Sequence, residues 1–368
     1  MVLFSSAPNV AKRCFTTGGR LCSLTYRYSP ALIGASAVQH SASTVYVVGG
    51  LYGNVEALDA IERRVAEDAS SLDTNPLLVF NGDFNFLNAK RPEEWREINR
   101  RVMKHAAIAG NVEVEAVAVE SDGSCGCAYP GYVDDSTVHR SDSIVASLRS
   151  LALTSNHDED LKIVKFLRDL PRYIVLQVGS KRVAVVHGDA ESLAGWAFSA
   201  EAMEPPDAKL RHALNTKSDS HFLSTSEESM IKWFLEAKVD MFASTHTCMA
   251  FAQRFDSSRL PGPAALINNG AAGMPNFRDS SLGLMTRIST SPLEPHDSLY
   301  GSVLGDVRVD AIPVAYDHAA WMNRFLANWP LGSPAYESYY NRISNGVGFY
   351  KIKQAARRGF TMPGEVPL

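Results

Sequence analysis

The chain has 368 residues, 45% of them hydrophobic and 21% charged, with a formal charge of −4. This composition supplies ample apolar material for a globular core and leaves no basic footprint for nucleic acid. No apolar run reaches the ~18 residues that a membrane-spanning helix requires.

Residues 1–43 differ from the rest. They carry Lys12, Arg13, Arg20 and Arg27, many serines, threonines and alanines, and no acid before Glu56. A basic, hydroxyl-rich, acid-free leader is the composition of an organellar targeting segment, so import into the mitochondrial matrix is the expectation; a merely disordered N-terminus is the alternative. The five cysteines, Cys14, Cys22, Cys125, Cys127 and Cys248, are too few to form a disulfide framework.

From residue 44 onward a βα rhythm sets in. Val45-Tyr46-Val47-Val48 reads as a buried strand leading into Gly49-Gly50-Leu51-Tyr52-Gly53-Asn54. Asn54 can cap a helix bearing Leu58, Ile61 and Val65. A strand over 76–80 ends at Asn81-Gly82-Asp83, where glycine lets another group approach the carboxylate closely. A second helix opens at Pro92 with Trp95, Ile98 and Val102 on one face, and a strand over 106–109 ends at Gly110-Asn111.

Residues 112–155, which contain Cys125-Gly126-Cys127 and a helical stretch around Ile144 to Leu151, interrupt the rhythm as an insertion able to lie over a site. A helix over 161–170 leads to a hairpin with arms 173–178 and 182–186, the second running into His187-Gly188-Asp189. Residues 190–224 carry no clear signal. Thr225 with Glu228 suggests a capping box, and strands over 241–244 and 264–267 end at Thr245-His246-Thr247-Cys248 and Asn268-Asn269-Gly270. The tail adds strands over 282–288 and 307–314, then a helical extension over 315–368 in which Trp321, Phe325 and Trp329 have core spacing. Strands alternating with helices define an α/β architecture whose loops at the C-terminal strand ends hold the candidate site.

These strand-end motifs, over about residues 44–290, resemble in their order the calcineurin-like metallophosphoesterases. That family carries Asp-x-His, Gly-Asp, Gly-Asn-His-Asp/Glu, a lone His and Gly-His-x-His. The resemblance implies a four-layer α/β/β/α sandwich of two mixed sheets flanked by helices, here one domain over 44–368. It also implies a divalent transition metal, Mn, Zn or Fe, with one ion expected and a second possible.

Carried over residue by residue, the resemblance keeps one metal position and loses the other. Asp83, Asn111, His187 and His246 match the ligands of one ion. Gly50 and Tyr52 stand where the first motif has Asp and His, Cys248 replaces the second His of the last motif, and Val112 replaces the general-acid His. A rebuilt first site would draw on Cys248, a Tyr52 phenolate and the Cys125/Cys127 loop, thiolates favouring softer ions; in the bland reading these side chains only fill volume and stabilise a turn. Asn54 is a further candidate for lining the site, Glu113 a candidate alternative ligand or positioning group, and Asp189 a candidate for orienting its neighbour.

Two functions follow from the resemblance. The first is hydrolysis of a small phosphomonoester or phosphodiester, such as a nucleotide, by in-line attack of metal-bound hydroxide, with Asn111 and Tyr52 as candidate catalytic groups. The second is a weak or inactive phosphoesterase-fold protein that binds a phosphate ligand or a protein partner. The sequence names no such partner.

Overall fold

The computed structural model describes residues 24–72, 75–121, 123–205, 224–293 and 297–365. Among them, twelve strands form two mixed sheets. One sheet has the order β11 (Tyr300–Leu304), β12 (Val307–Val314), β10 (Gly283–Ser289), β2 (Thr44–Val48), β3 (Leu77–Phe80) and β4 (Ala106–Ala107). The other has β1 (His40–Ala42), β5 (Tyr173–Val178), β6 (Lys181–Val186), β7 (Met241–Ser244), β9 (Ala264–Asn268) and β8 (Phe251–Phe255). In the first, β2, β3 and β4 run parallel; in the second, β6, β7 and β9 do.

Strand chemistry explains the layering. β2 is Thr-Val-Tyr-Val-Val, every residue buried, as expected of a central strand covered on both faces. Its side chains alternate: Val45 and Val47 enter the core shared with Val183, Val185, Ala243 and Ile267 of the opposite sheet. Tyr46 and Val48 instead join Leu58 and Ile61 of α2 (Val55–Leu72) and Trp95 and Ile98 of α3 (Pro92–Val102). Helix α3 has Pro92 in its first turn, Glu93 and Glu94 at its positive end and Arg100 and Arg101 at its negative end. The second sheet is backed by α1 (Pro30–Ala35) and the helix Glu227–Ala237, whose Ile33, Met230 and Phe234 are buried together. The result is the expected α/β/β/α sandwich.

Several sequence expectations are corrected. The leader was expected to run to residue 43, yet residues 24–43 belong to the fold. β1 pairs in parallel with β5, Ile33 is fully buried, and the Tyr28 hydroxyl donates to the Asp189 carbonyl at 2.7 Å. Composition misled here because a small apolar helix docked on a sheet edge needs no acid. Residues 1–23, with Cys14 and Cys22, lie outside the described residues. Strands β8 and β11, not expected from the sequence, complete sheet edges, and β4 has only two residues. The cap of the helix Glu227–Ala237 is Ser226, which accepts from the Ser229 amide; the Thr225 hydroxyl instead donates to the Ala197 carbonyl. Trp321, Phe325 and Trp329 are core residues, as their spacing implied.

If residues 24–43 are structural, Ile33→Ala should destabilise the protein by about 2–5 kcal/mol, the range for emptying a buried aliphatic site. Chemical denaturation would show this as a lower midpoint at unchanged slope; an unaltered midpoint would detach the segment from the core.

Candidate metal centre

Three parallel-strand ends meet at one edge of the sandwich. β3 delivers Asn81-Gly82-Asp83, β6 delivers His187, and β7 delivers His246, so the two sheets contribute to one site. The His187 carbonyl accepts from the amides of Thr245 and His246 at 3.0 and 2.9 Å, locking the ends of β6 and β7 together. Asp83 has φ of +53°, a left-handed backbone unusual outside glycine. Gly82, at φ +78°, and Gly110 make room for it. A Cβ on Gly82 would lie 2.7 Å from His187 Nδ1, and one on Gly110 would lie 2.2 Å from Asp83 Oδ1.

The strained turn is held by Glu113. Its carboxylate accepts the backbone amides of Asp83 at 2.7 Å, Phe84 at 3.0 Å, Asn85 at 3.2 Å and Gly110 at 3.1 Å. Glu113 is therefore not a ligand; it shapes the loop that presents one. Burial and the Asp83 charge push its carboxyl up to about 7, against those amide donors. Asp189 does similar work after β6, accepting the amides of Glu191, Ser192 and Ala197, with burial raising its pKa. Asn54 caps α2 through the Ala57 amide at 2.8 Å and donates to the Gly273 carbonyl at 2.9 Å, which makes it a framework residue.

At the centre, the ligand atoms of Asp83, His187 and His246 lie within 4.8 Å of one another, all three side chains buried. Asn111 Oδ1 joins them, 3.2 Å from His187 Nε2, because its amide nitrogen is turned away to the Cys125 carbonyl at 2.9 Å and Cys127 Sγ at 3.4 Å. His187 Nδ1 faces the Asn81 carbonyl at 2.8 Å, and His246 Nε2 faces the Cys127 carbonyl at 3.0 Å. Carbonyls only accept, so each of these ring nitrogens carries the hydrogen, and the other nitrogen of each ring turns inward. His187 Nε2 lies 3.2 Å from His246 Nδ1 and 3.4 Å from Asp83 Oδ1.

Four electron-rich atoms thus face one another. Such a cluster needs a positive species at its centre, either a proton on His187 or a cation. One carboxylate, one amide oxygen and two imidazoles make a donor set suited to a divalent transition metal. The hydrogen bonds that turn each imidazole are the outer partners such ligands ordinarily have. Burial alone would disfavour a charged His187, but the Asp83 carboxylate outweighs it and raises the histidine pKa. His246 is pushed down to about 4 by burial and by the His187 charge. Asp83 is held low, its burial more than offset by His187.

The other half of the expected two-metal site is filled by protein. A Cβ on Gly50 would lie 2.3 Å from the Tyr52 ring, so the tyrosine occupies the space an aspartate there would need. The Tyr52 hydroxyl is hydrogen-bonded to Cys248 Sγ, and the ring meets Phe86 edge-on at 6.0 Å. Burial raises the Tyr52 hydroxyl well above its ordinary range and also raises the Cys248 thiol. Without a cation beside it, Tyr52 therefore stays protonated. Cys125 and Cys127 are joined to each other in a disulfide rather than turned toward Cys248. Tyr52 and Cys248 thus meet each other beside the centre, away from the paired Cys125 and Cys127. The insertion does reach the site, through the two cysteine carbonyls that turn Asn111 and His246.

Backbone carbonyls at Asn81, Cys125 and Cys127 orient the ligands, yet no side-chain pattern can announce them. Trp196, whose ring lies 5.5 Å from that of His246, was likewise missed, standing outside any motif. A cavity of about 1290 Å³ lies elsewhere, between β8, β11 and the C-terminal segment, and its Arg254, Arg308 and Arg358 are already paired with Asp256, Asp310 and Glu227.

No protein-family model matches the chain, and no curated protein does. Solved structures similar to it include a metallophosphoesterase from Sphaerobacter thermophilus, 18% identical over 82% of this chain and 99% of that one, TM-score 0.46. A hypothetical protein from Pyrococcus horikoshii OT3 is 14% identical over 82% and 98% of the two chains, TM-score 0.47. Vacuolar Protein Sorting 29 from Cryptosporidium parvum is 12% identical over 75% and 99%, TM-score 0.28. The protein itself has two six-stranded mixed sheets flanked by helices.

Metal uptake should expel the proton that the raised pKa of His187 favours. Affinity for Mn²⁺ or Zn²⁺, measured by competition with a chromophoric chelator, should climb with pH by up to ~10-fold per unit, levelling above the histidine pKa. A pH-independent affinity would contradict the ligand assignment.

Proposed function

We propose that the protein is a metal-dependent phosphoesterase with a single-ion site. The observation that carries this is the convergence of Asp83 Oδ1, Asn111 Oδ1, His187 Nε2 and His246 Nδ1, with the outward atoms of Asn111 and both histidines engaged by carbonyls. A divalent ion held there supplies acidification of bound water and polarisation of a phosphoryl oxygen.

The chain's own residues set the limits of the reaction. Glu113 fixes the loop that carries Asp83, both of its oxygens taken up by backbone amides. Val112, in place of the family's general acid, is buried, and its amide donates to Asp83 Oδ1 at 3.3 Å. The leaving oxygen therefore has no imidazole donor there, a loss typically of ~10²–10⁴ in rate. Substrates whose leaving groups depart without protonation, such as aryl phosphoesters, suit this site best. The disposition of Val112, Tyr52 and Cys248 favours a second reading, a phosphoesterase fold that retains one ion but binds without turning over. Residence in the mitochondrial matrix stays part of the proposal on composition alone.

Turnover by the Mn²⁺-loaded protein of aryl phosphates spanning a range of leaving-group pKa should fall steeply as that pKa rises. His246→Ala should lower it by at least ~10²-fold. Absence of turnover on every ester while the ion is retained would leave the binding reading in its place.

A further inference from the structure

The loop Cys125-Gly126-Cys127 does more than cover the metal centre, because each of its half-cystines holds a ligand. The Cys125 carbonyl accepts from Asn111 Nδ2 at 2.9 Å, and the Cys127 carbonyl accepts from His246 Nε2 at 3.0 Å. Asn111 Nδ2 also lies 3.4 Å from Cys127 Sγ, as a donor to that sulfur. The disulfide between the two side chains closes the loop on itself, so one small covalent ring sets the positions of both carbonyls. Two of the four inward-facing donors are thus aimed by a bond that thiols can break.

The loop is built to change shape once that bond is cut. Gly126 has φ of +68° and Ala128 φ of +49°, a left-handed backbone that an alanine keeps only under constraint. A Cβ on Gly126 would lie 2.2 Å from the Tyr26 hydroxyl oxygen, so the loop is pressed against the residues beneath it. Its other ties run outward from the centre. The Cys125 amide donates to Asp142 at 2.8 Å, and Trp196 Nε1 donates to the Cys127 carbonyl at 3.0 Å. The latter bond draws the same carbonyl that His246 uses. Cys248 takes no part in this pairing, its thiol being hydrogen-bonded to Tyr52.

We propose that Cys125–Cys127 is an exchangeable disulfide that sets the affinity of the metal centre. Closed, it aims Asn111 and His246 at the ion; opened by a small-molecule thiol, it releases both. Cys127 is the more accessible half, 7% exposed against 2% for Cys125 and flanked by half-buried Gly126 and Ala128. A thiolate attacking Cys127 Sγ forms a mixed disulfide and breaks the Cys125–Cys127 bond. Cys125 Sγ leaves as a thiolate beside the Cys127 amide, which donates to it at 3.3 Å. A second thiolate then attacks the small-molecule sulfur of the mixed disulfide and frees Cys127. Two thiols are oxidised to one disulfide, and two electrons and two protons pass to the protein's pair. Disulfides that open and close in this way are the kind a reducing compartment admits. The proposal rests on the metal assignment and is independent of turnover.

The test reads one chain in two states, after treatment with oxidised glutathione and after reduction with dithiothreitol, each followed by desalting under nitrogen. Iodoacetamide and peptide mass mapping report which cysteines are free, and competition with a chromophoric chelator reports Mn²⁺ affinity, a hard ion that thiols bind poorly. Cys125 and Cys127 should alkylate only after reduction. Reduction should weaken Mn²⁺ binding by ~10–100-fold, the usual effect of losing the partners that orient metal ligands, and reoxidation should restore it. Cys248→Ser should respond as wild type does, whereas Cys125→Ser/Cys127→Ser should bind at the weakened level in both states. Affinities within twofold of each other in the two states of wild type would overturn the proposal. So would alkylation of Cys125 and Cys127 after the oxidising treatment, or a double variant that binds as tightly as the oxidised chain. If Mn²⁺ binds in neither state, the metal centre and this proposal fall together. A reversible change in affinity without turnover of any ester would uphold the proposal and remove the phosphoesterase reading.

Discussion

The site depends on one buried carboxylate accepting four backbone amides. Asp83 can face the two histidines only from a left-handed backbone, which costs on the order of 1–3 kcal/mol for a residue other than glycine. Glu113 offsets that cost by gathering the amides of the turn from Asp83 to Asn85 and that of Gly110 at the end of β4. Each such hydrogen bond to a carboxylate contributes on the order of 1.5–3 kcal/mol, set against the burial that pushes this carboxyl up to about 7. Without them the loop would have no reason to keep its donors aimed inward, and the carboxylate opposite His187 would relax away.

With Asp83 fixed, the rest follows from strand geometry. Gly82 and Gly110 allow backbone and imidazole to approach more closely than any Cβ would permit. The parallel pairing of β6 with β7 then puts both histidines on the same edge. The insertion closes the centre from above, with the carbonyls of Cys125 and Cys127 turning Asn111 and His246. The asymmetry of the site has an equally local origin. The Tyr52 ring folds back over Gly50 and meets Cys248, so the space on that side of the centre is occupied by packed side chains.

Much of this was legible in the sequence. The ends of β3, β6 and β7 each carry a candidate ligand within three residues of the strand, and the α/β alternation indicated where those ends would meet. That Asp83, His187 and His246 would come together could be read from motif order. Two things could not be read. Ligand orientation comes from backbone carbonyls, which have no letter in a sequence. Residues 24–43 look like a leader by composition, yet β1 is stabilised by pairing with β5, an interaction composition does not encode.

The most direct test of the account is the number of ions the protein holds. Purified protein titrated with Mn²⁺ or Zn²⁺, freed of excess and analysed by plasma mass spectrometry, should retain one ion per chain. Asp83→Ala and His246→Ala should each abolish it, and Cys248→Ser should leave it unchanged. Retention of two ions, with one lost in Cys248→Ser, would show that Tyr52 yields the first position to a metal; retention of none would contradict the four-donor centre itself.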